Sequence, residues 1–183
     1  MEKILARNEV YRGRVLSLEV LEVRTAAGVR TRREVVRHGG AVAILAVTPA
    51  RRLLLVRQYR VAVGREMTEI VAGIRDRAGE SPEDCARREL REETGYEAEE
   101  LVRLGEVYPS PGYITECIQL FAARLRAGPG ATALDHDEEL HSVEIPPQEF
   151  RDMLRRGEIR DGKTLAAWSL FREHGLEELW LQG

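Results

Sequence analysis

Two uninterrupted apolar runs, Ala41 to Val47 and Leu53 to Val56, set the strongest limit on how this chain can fold. Runs of this length read as buried strands and fall far short of the ~18 apolar residues that a membrane span needs. Strand-like stretches recur at Val102 to Val107, Cys117 to Leu125 and Ser142 to Ile145. Helical patterns lie between and after them. Ser81 is a good N-cap, Pro82 suits the first helical position, Glu83 and Asp84 complement the dipole, and Gly95 stops the helix after Thr94. A second helix opens at Pro146-Pro147 and closes near Gly157, and a third covers Leu165 to His174, with Leu165, Trp168 and Phe171 at helical spacing. Strands with helices placed between and after them predict an α/β architecture.

Upstream, Val10 to Val23 and Arg30 to Val36 are strand-like and flank the turn signal Ala26-Ala27-Gly28. Two strands cannot bury a face alone, so this piece must lie against the rest of the chain or a second copy. The expected organisation is an N-terminal strand region over 1–38 and a main domain over 39–183. A polar stretch, Arg60 to Thr68, leads into a short strand at Glu69 to Gly73.

Composition excludes several classes. A net charge of -3 with no basic stripe argues against large nucleic acids as partners. The absence of an apolar leader or span predicts a cytoplasmic protein with no membrane partner. Cys85 and Cys117 lack metal-ligand spacing and read as reduced core residues, and the four histidines form no zinc motif.

The chemistry concentrates between Gly73 and Tyr96, G-I-R-D-R-A-G-E-S-P-E-D-C-A-R-R-E-L-R-E-E-T-G-Y. On a helix Glu89 and Glu93 are one turn apart and Glu92 is three residues beyond Glu89, so three carboxylates share a face. Their mutual repulsion makes a hard dication such as Mg²⁺ the natural compensation. Arg88, one turn before Glu92, can orient a carboxylate. Taken alone, the helix also fits a solvated salt-bridged surface, because Arg87, Arg88 and Arg91 alternate with the acids.

The whole segment resembles the Nudix box: glycine, a short spacer, glutamate, seven residues, then R-E-U-x-E-E-x-G-U, where U is a bulky apolar residue. Glu80, Arg88-Glu89-Leu90, Glu92-Glu93, Gly95 and Tyr96 are in register, while Gly73 and Glu80 enclose six residues where the pattern has five. Ser110-Pro111-Gly112, Tyr11-Arg12-Gly13, Arg32-Arg33-Glu34, Arg57-Gln58-Tyr59-Arg60 and Gly157-Glu158-Ile159 look like segments of the ADP-ribose pyrophosphatase branch.

That resemblance implies an α/β/α sandwich with a mixed sheet and added N-terminal antiparallel strands. It also implies a homodimer and a small nucleotide substrate, ADP-ribose first, cleaved to AMP and ribose 5-phosphate with Mg²⁺, or Mn²⁺ in its place. The implied metal ligands are Glu89, Glu93, the Ala72 carbonyl and Glu138. Glu92, Glu93, Glu138 and Glu139 are the implied catalytic set, and Arg33, Arg60, Pro111, Gly112 and Glu116 the substrate contacts. An acid expected two positions before Glu138 is replaced by His136. The alternatives are a nucleotide-sugar or dinucleoside polyphosphate hydrolase, or a silent nucleotide sensor on the same scaffold.

Overall fold

The structure, a computed structural model, describes residues 1–133 and 139–182. The chain forms two compact units, Met1–Gly40 with Tyr108–Cys117, and Ala41–Val107 with Ile118–Gly183.

The smaller unit is an antiparallel sheet of β1 (Lys3–Arg12), β2 (Leu16–Arg24) and β3 (Arg30–His38) in that order. The single stretch expected over Val10 to Val23 is therefore two strands, because Gly13 donates its N–H to the Leu16 carbonyl at 2.8 Å and reverses the chain. All ten residues of β1 are exposed, and within the sheet only Leu21 and Val23 are buried. Residues 108–117 join β3 through Val36, which donates to the Tyr113 carbonyl at 2.7 Å and accepts from Thr115 at 2.9 Å.

The larger unit is built on a seven-stranded mixed sheet. Its strands are β4 (Ala41–Val47), β5 (Leu53–Arg60), β6 (Arg65–Glu69), β7 (Val71–Ile74), β8 (Ala98–Val107), β9 (Ile118–Leu125) and β10 (Leu140–Ile145). The order is β10-β5-β4-β9-β8, with β6 added to β5 and β7 to β4, and only β4 and β9 run parallel. Every residue of β4 is buried, and its alternation divides the core. Val42, Ile44 and Ala46 pack with Cys85, Ala86 and Leu90 of α1 (Pro82–Thr94). Ala43, Leu45 and Val47 pack with Phe150 of α2 (Pro147–Arg155), Trp168 and Phe171 of α3 (Gly162–Glu173), and Trp180 of α4 (Leu176–Leu181). Helices on both faces make the α/β/α sandwich, and each fully buried Leu or Phe contributes about 1.5–3 kcal/mol.

Several local expectations are corrected. The polar stretch after Arg60 holds a strand, β6, because pairing to β5 uses backbone groups and needs no apolar side chain. Glu69 to Gly73 is not one strand: the chain leaves β5 at Glu69 and joins β4 from Val71. Leu165 is 42% exposed, the buried face of α3 being Thr164, Ala167, Trp168 and Phe171. Cys85 is buried as expected, whereas Cys117 precedes β9 and is half-buried. The short helix α4 carries no cap signal and was not foreseen.

Candidate active site

The site is organised by α1 and the strand before it. Ser81 Oγ accepts the Asp84 N–H at 3.1 Å, which fixes the helix start. At the other end Gly95 adopts φ 73°, and a Cβ there would overlap the Gly130 carbonyl. Two reasons thus require glycine. Gly130 donates to the Gly95 carbonyl at 2.7 Å and Ala133 to the Glu92 carbonyl at 2.8 Å, so the glycine-rich loop is tied to the C-terminus of α1.

Gly73, in β7, lies directly beneath Glu89: a Cβ added there would overlap the Glu89 carboxyl group. The side chain of Glu89 thus occupies the space above Gly73. Between β7, which ends at Ile74, and α1, which starts at Pro82, the chain runs as a loop.

Arg88 is the hub of the carboxylate face. Its side chain is only 9% exposed. Nε and Nη2 hold both oxygens of Glu80 at 2.8 and 2.9 Å, and Nη1 reaches Glu89 Oε1 at 2.6 Å and Glu92 Oε2 at 2.9 Å. Arg77 Nη2 adds a 3.3 Å bond to Glu92. One guanidinium thus orients three carboxylates and offsets the repulsion that the sequence implied. The paired Arg88 lowers the Glu80 carboxyl from 4.5 to about 2. A carboxyl lowered in the folded state adds stability that is present above its unfolded pKa and lost as pH falls through the folded value. Acid unfolding between pH 4.5 and about 2 is therefore expected to include a component from Glu80 that Glu80→Gln removes. Chemical denaturation across that range measures it, and parallel curves for the two proteins would refute the assignment.

Cys85 approaches Arg88 Nη2 at 3.4 Å, but burial pushes its thiol up to about 12, so it is no nucleophile. Glu93 is 5% exposed and Glu92 is more open, at 27% of its side chain. Ala72 pairs with Ala43 in the sheet. Glu138 and His136 lie outside the described residues, and Glu139 is exposed just before β10. Among the described residues no three Asp, Glu, His or Cys side chains converge as a ready metal cage. The residues nevertheless fit a hard divalent ion. The donors are all oxygen, they share one helix face, and Gly73 leaves room for a carboxylate that any side chain would displace.

A second charged cluster lies at the β6–β7 junction. Glu69 is 2% exposed, accepts Arg60 Nε and Nη2 at 2.9 and 2.7 Å, and takes a short bond from Lys163. Burial pushes the Glu69 carboxyl up, but Arg60 and Lys163 outweigh it and hold it below its ordinary value. The bond to Glu69 raises the Arg60 pKa, and the charge of Glu93 adds to that. Arg60 was anticipated from sequence, whereas Glu69 and Lys163, 94 positions apart, were not.

The other anticipated substrate residues belong to the smaller unit. Arg33 and Gly112 line a 450 Å³ pocket with Leu18, Arg32, Glu34, Val36 and Tyr113, and Arg33 bonds Glu2 at 2.6 Å. Pro111 is exposed. Glu116 stands 3.7 Å from His38 Nδ1, which accepts the Gly40 N–H at 3.1 Å and so is not a donor to it.

The NUDIX domain family model matches residues 37–168. An ADP-ribose pyrophosphatase of Bacillus subtilis (strain 168) is 37% identical over 167 residues, covering 91% of this chain and 90% of that protein. A GDP-mannose pyrophosphatase of Escherichia coli O9:H4 (strain HS) is 40% identical over 150 residues, 75% of each chain. A crystal structure of an ADP compounds hydrolase superposes with a TM-score of 0.81 at 28% identity, covering 94% of this chain and 92% of that one. The chain belongs to the Nudix family and is a pyrophosphohydrolase of that family.

Proposed function

We propose that this Nudix hydrolase cleaves the pyrophosphate link of ADP-ribose with Mg²⁺, giving AMP and ribose 5-phosphate. The observation that carries the reading is the seat of Glu89 on Gly73, beside the buried Glu93, on a helix face ordered by Arg88. Similarity to an ADP-ribose pyrophosphatase over nine-tenths of both chains supports the substrate.

In this reading Glu89 and Glu93, with the Ala72 carbonyl and Glu138, hold the divalent ions. Those ions, when bound, neutralise the diphosphate and acidify a water. Arg88 keeps Glu89 and Glu92 aimed, Arg60 grips a phosphate, and the proton of the attacking water passes to Glu92 or to the 138–139 region. Arg33, Pro111, Gly112 and Glu116 are assigned to the nucleoside and sugar. The active species is a homodimer, a view supported by a β1 exposed along its whole length, and it is assigned to the cytoplasm. A monomeric mass by light scattering would remove that element.

Incubation with Mg²⁺ and a panel of ADP-ribose, GDP-mannose and dinucleoside polyphosphates, with EDTA controls, tests the substrate. AMP release mainly from ADP-ribose, abolished by EDTA, is expected. Preference for GDP-mannose would favour the second reading, supported by the 40% identity to a GDP-mannose pyrophosphatase.

A further inference from the structure

Glu69 is surrounded by more than a simple ion pair. Both its oxygens hold Arg60, and Oε2 also binds Lys163. Lys163 Nζ stands 3.1 Å from Asp161 Oδ1, and Asp161 Oδ2 caps α3 by accepting the Thr164 N–H at 3.0 Å. Thr164 Oγ1 in turn accepts the Ile70 N–H at 3.0 Å. With the peptide link between Glu69 and Ile70 these bonds close a ring through Glu69, Lys163, Asp161, Thr164 and Ile70, to which Arg60 is attached at Glu69.

This circuit has a physical consequence for Arg60. With Lys163 on the same carboxylate the anion is shared and pinned, its position set by α3. Glu69 takes up two of the five N–H donors of the guanidinium, and the Arg60 side chain remains 42% exposed, which leaves the guanidinium capacity to bind an anion. Lys163, at 11% exposure, is itself too enclosed to be a free ligand for substrate.

We propose that Lys163 is a positioning residue which, acting through Glu69, fixes Arg60 for binding the substrate's diphosphate. The proposal rests on the reading above in which Arg60 contacts phosphate. It concerns binding rather than chemistry, so its signature is in KM and not in kcat.

The test is a cycle of four proteins: wild type, Lys163→Met, Arg60→Ala and the double variant, assayed with ADP-ribose. Lys163→Met is expected to raise KM about tenfold with kcat changed less than about threefold. In the Arg60→Ala background the same change is expected to alter KM less than about twofold, because the group it positions is gone. An unchanged KM in the first background, or the same factor in both, would overturn the proposal. Should Lys163→Met fail to fold, Lys163→Gln, which keeps a donor for Glu69, replaces it in the same cycle with a smaller effect of the same pattern. If the wild type turns over no substrate, the functional reading fails on its own. The cycle is then read by calorimetric binding of ADP-ribose, where the same non-additivity is expected and additivity refutes the proposal.

Discussion

Replacing Glu93 with Gln is expected to lower kcat by ~10³-fold or more while the protein stays folded. The carboxylate is isosteric with the amide, so packing around this nearly buried side chain is kept. In the proposed reading, what is lost is one anionic ligand for the divalent ions, and metal stabilisation of a phosphoryl transition state amounts to several kcal/mol, at about 1.4 kcal/mol per tenfold. Neutralising Glu93 also relieves its repulsion with Glu89 one turn away. The melting temperature is therefore expected to move by no more than about 4 °C. Steady-state kinetics and a thermal melt on one preparation check both halves. Undiminished turnover would remove Glu93 from the active centre, and loss of folding would reduce it to a structural role.

The second large effect is expected from Gly73→Ala. Gly73 does not have the left-handed backbone that excludes other residues; it is required because Glu89 occupies the space of a Cβ. The obstructing atoms are the end of a flexible side chain, so the fold can survive by expelling Glu89, and with it the ligand geometry proposed above. A fall in kcat/KM of at least about 10²-fold is expected, together with weaker Mn²⁺ binding measured by the loss of free-ion signal in electron paramagnetic resonance. Normal activity and normal Mn²⁺ binding would show that Glu89 has no need of that seat.

These effects bear on what the sequence made readable. Helix α1 was legible end to end because its signals are local: Ser81, Pro82 and Gly95 act on the backbone beside them. The buried strand β4 was legible because both its faces are apolar. The break at Gly13 and the strand β6 were not. In the first, residues alternate through a tight turn, and in the second a polar strand is held by its backbone against β5. The box carboxylates were readable from helical spacing, but the way Arg88 grips Glu80 bidentately depends on how the loop before α1 returns to it. Lys163 and Glu69 meet only because α3 packs behind the β6–β7 junction, a contact that no local pattern encodes.

Hydrolysis of ADP-ribose in H₂¹⁸O with Mg²⁺, followed by mass spectrometry of the products, reports which bond is cut and whether water is the nucleophile. AMP and ribose 5-phosphate are expected in equal amounts, with one ¹⁸O on a phosphate of one product and no reaction in EDTA. Unlabelled phosphates, or cleavage at a bond other than the pyrophosphate link, would contradict it.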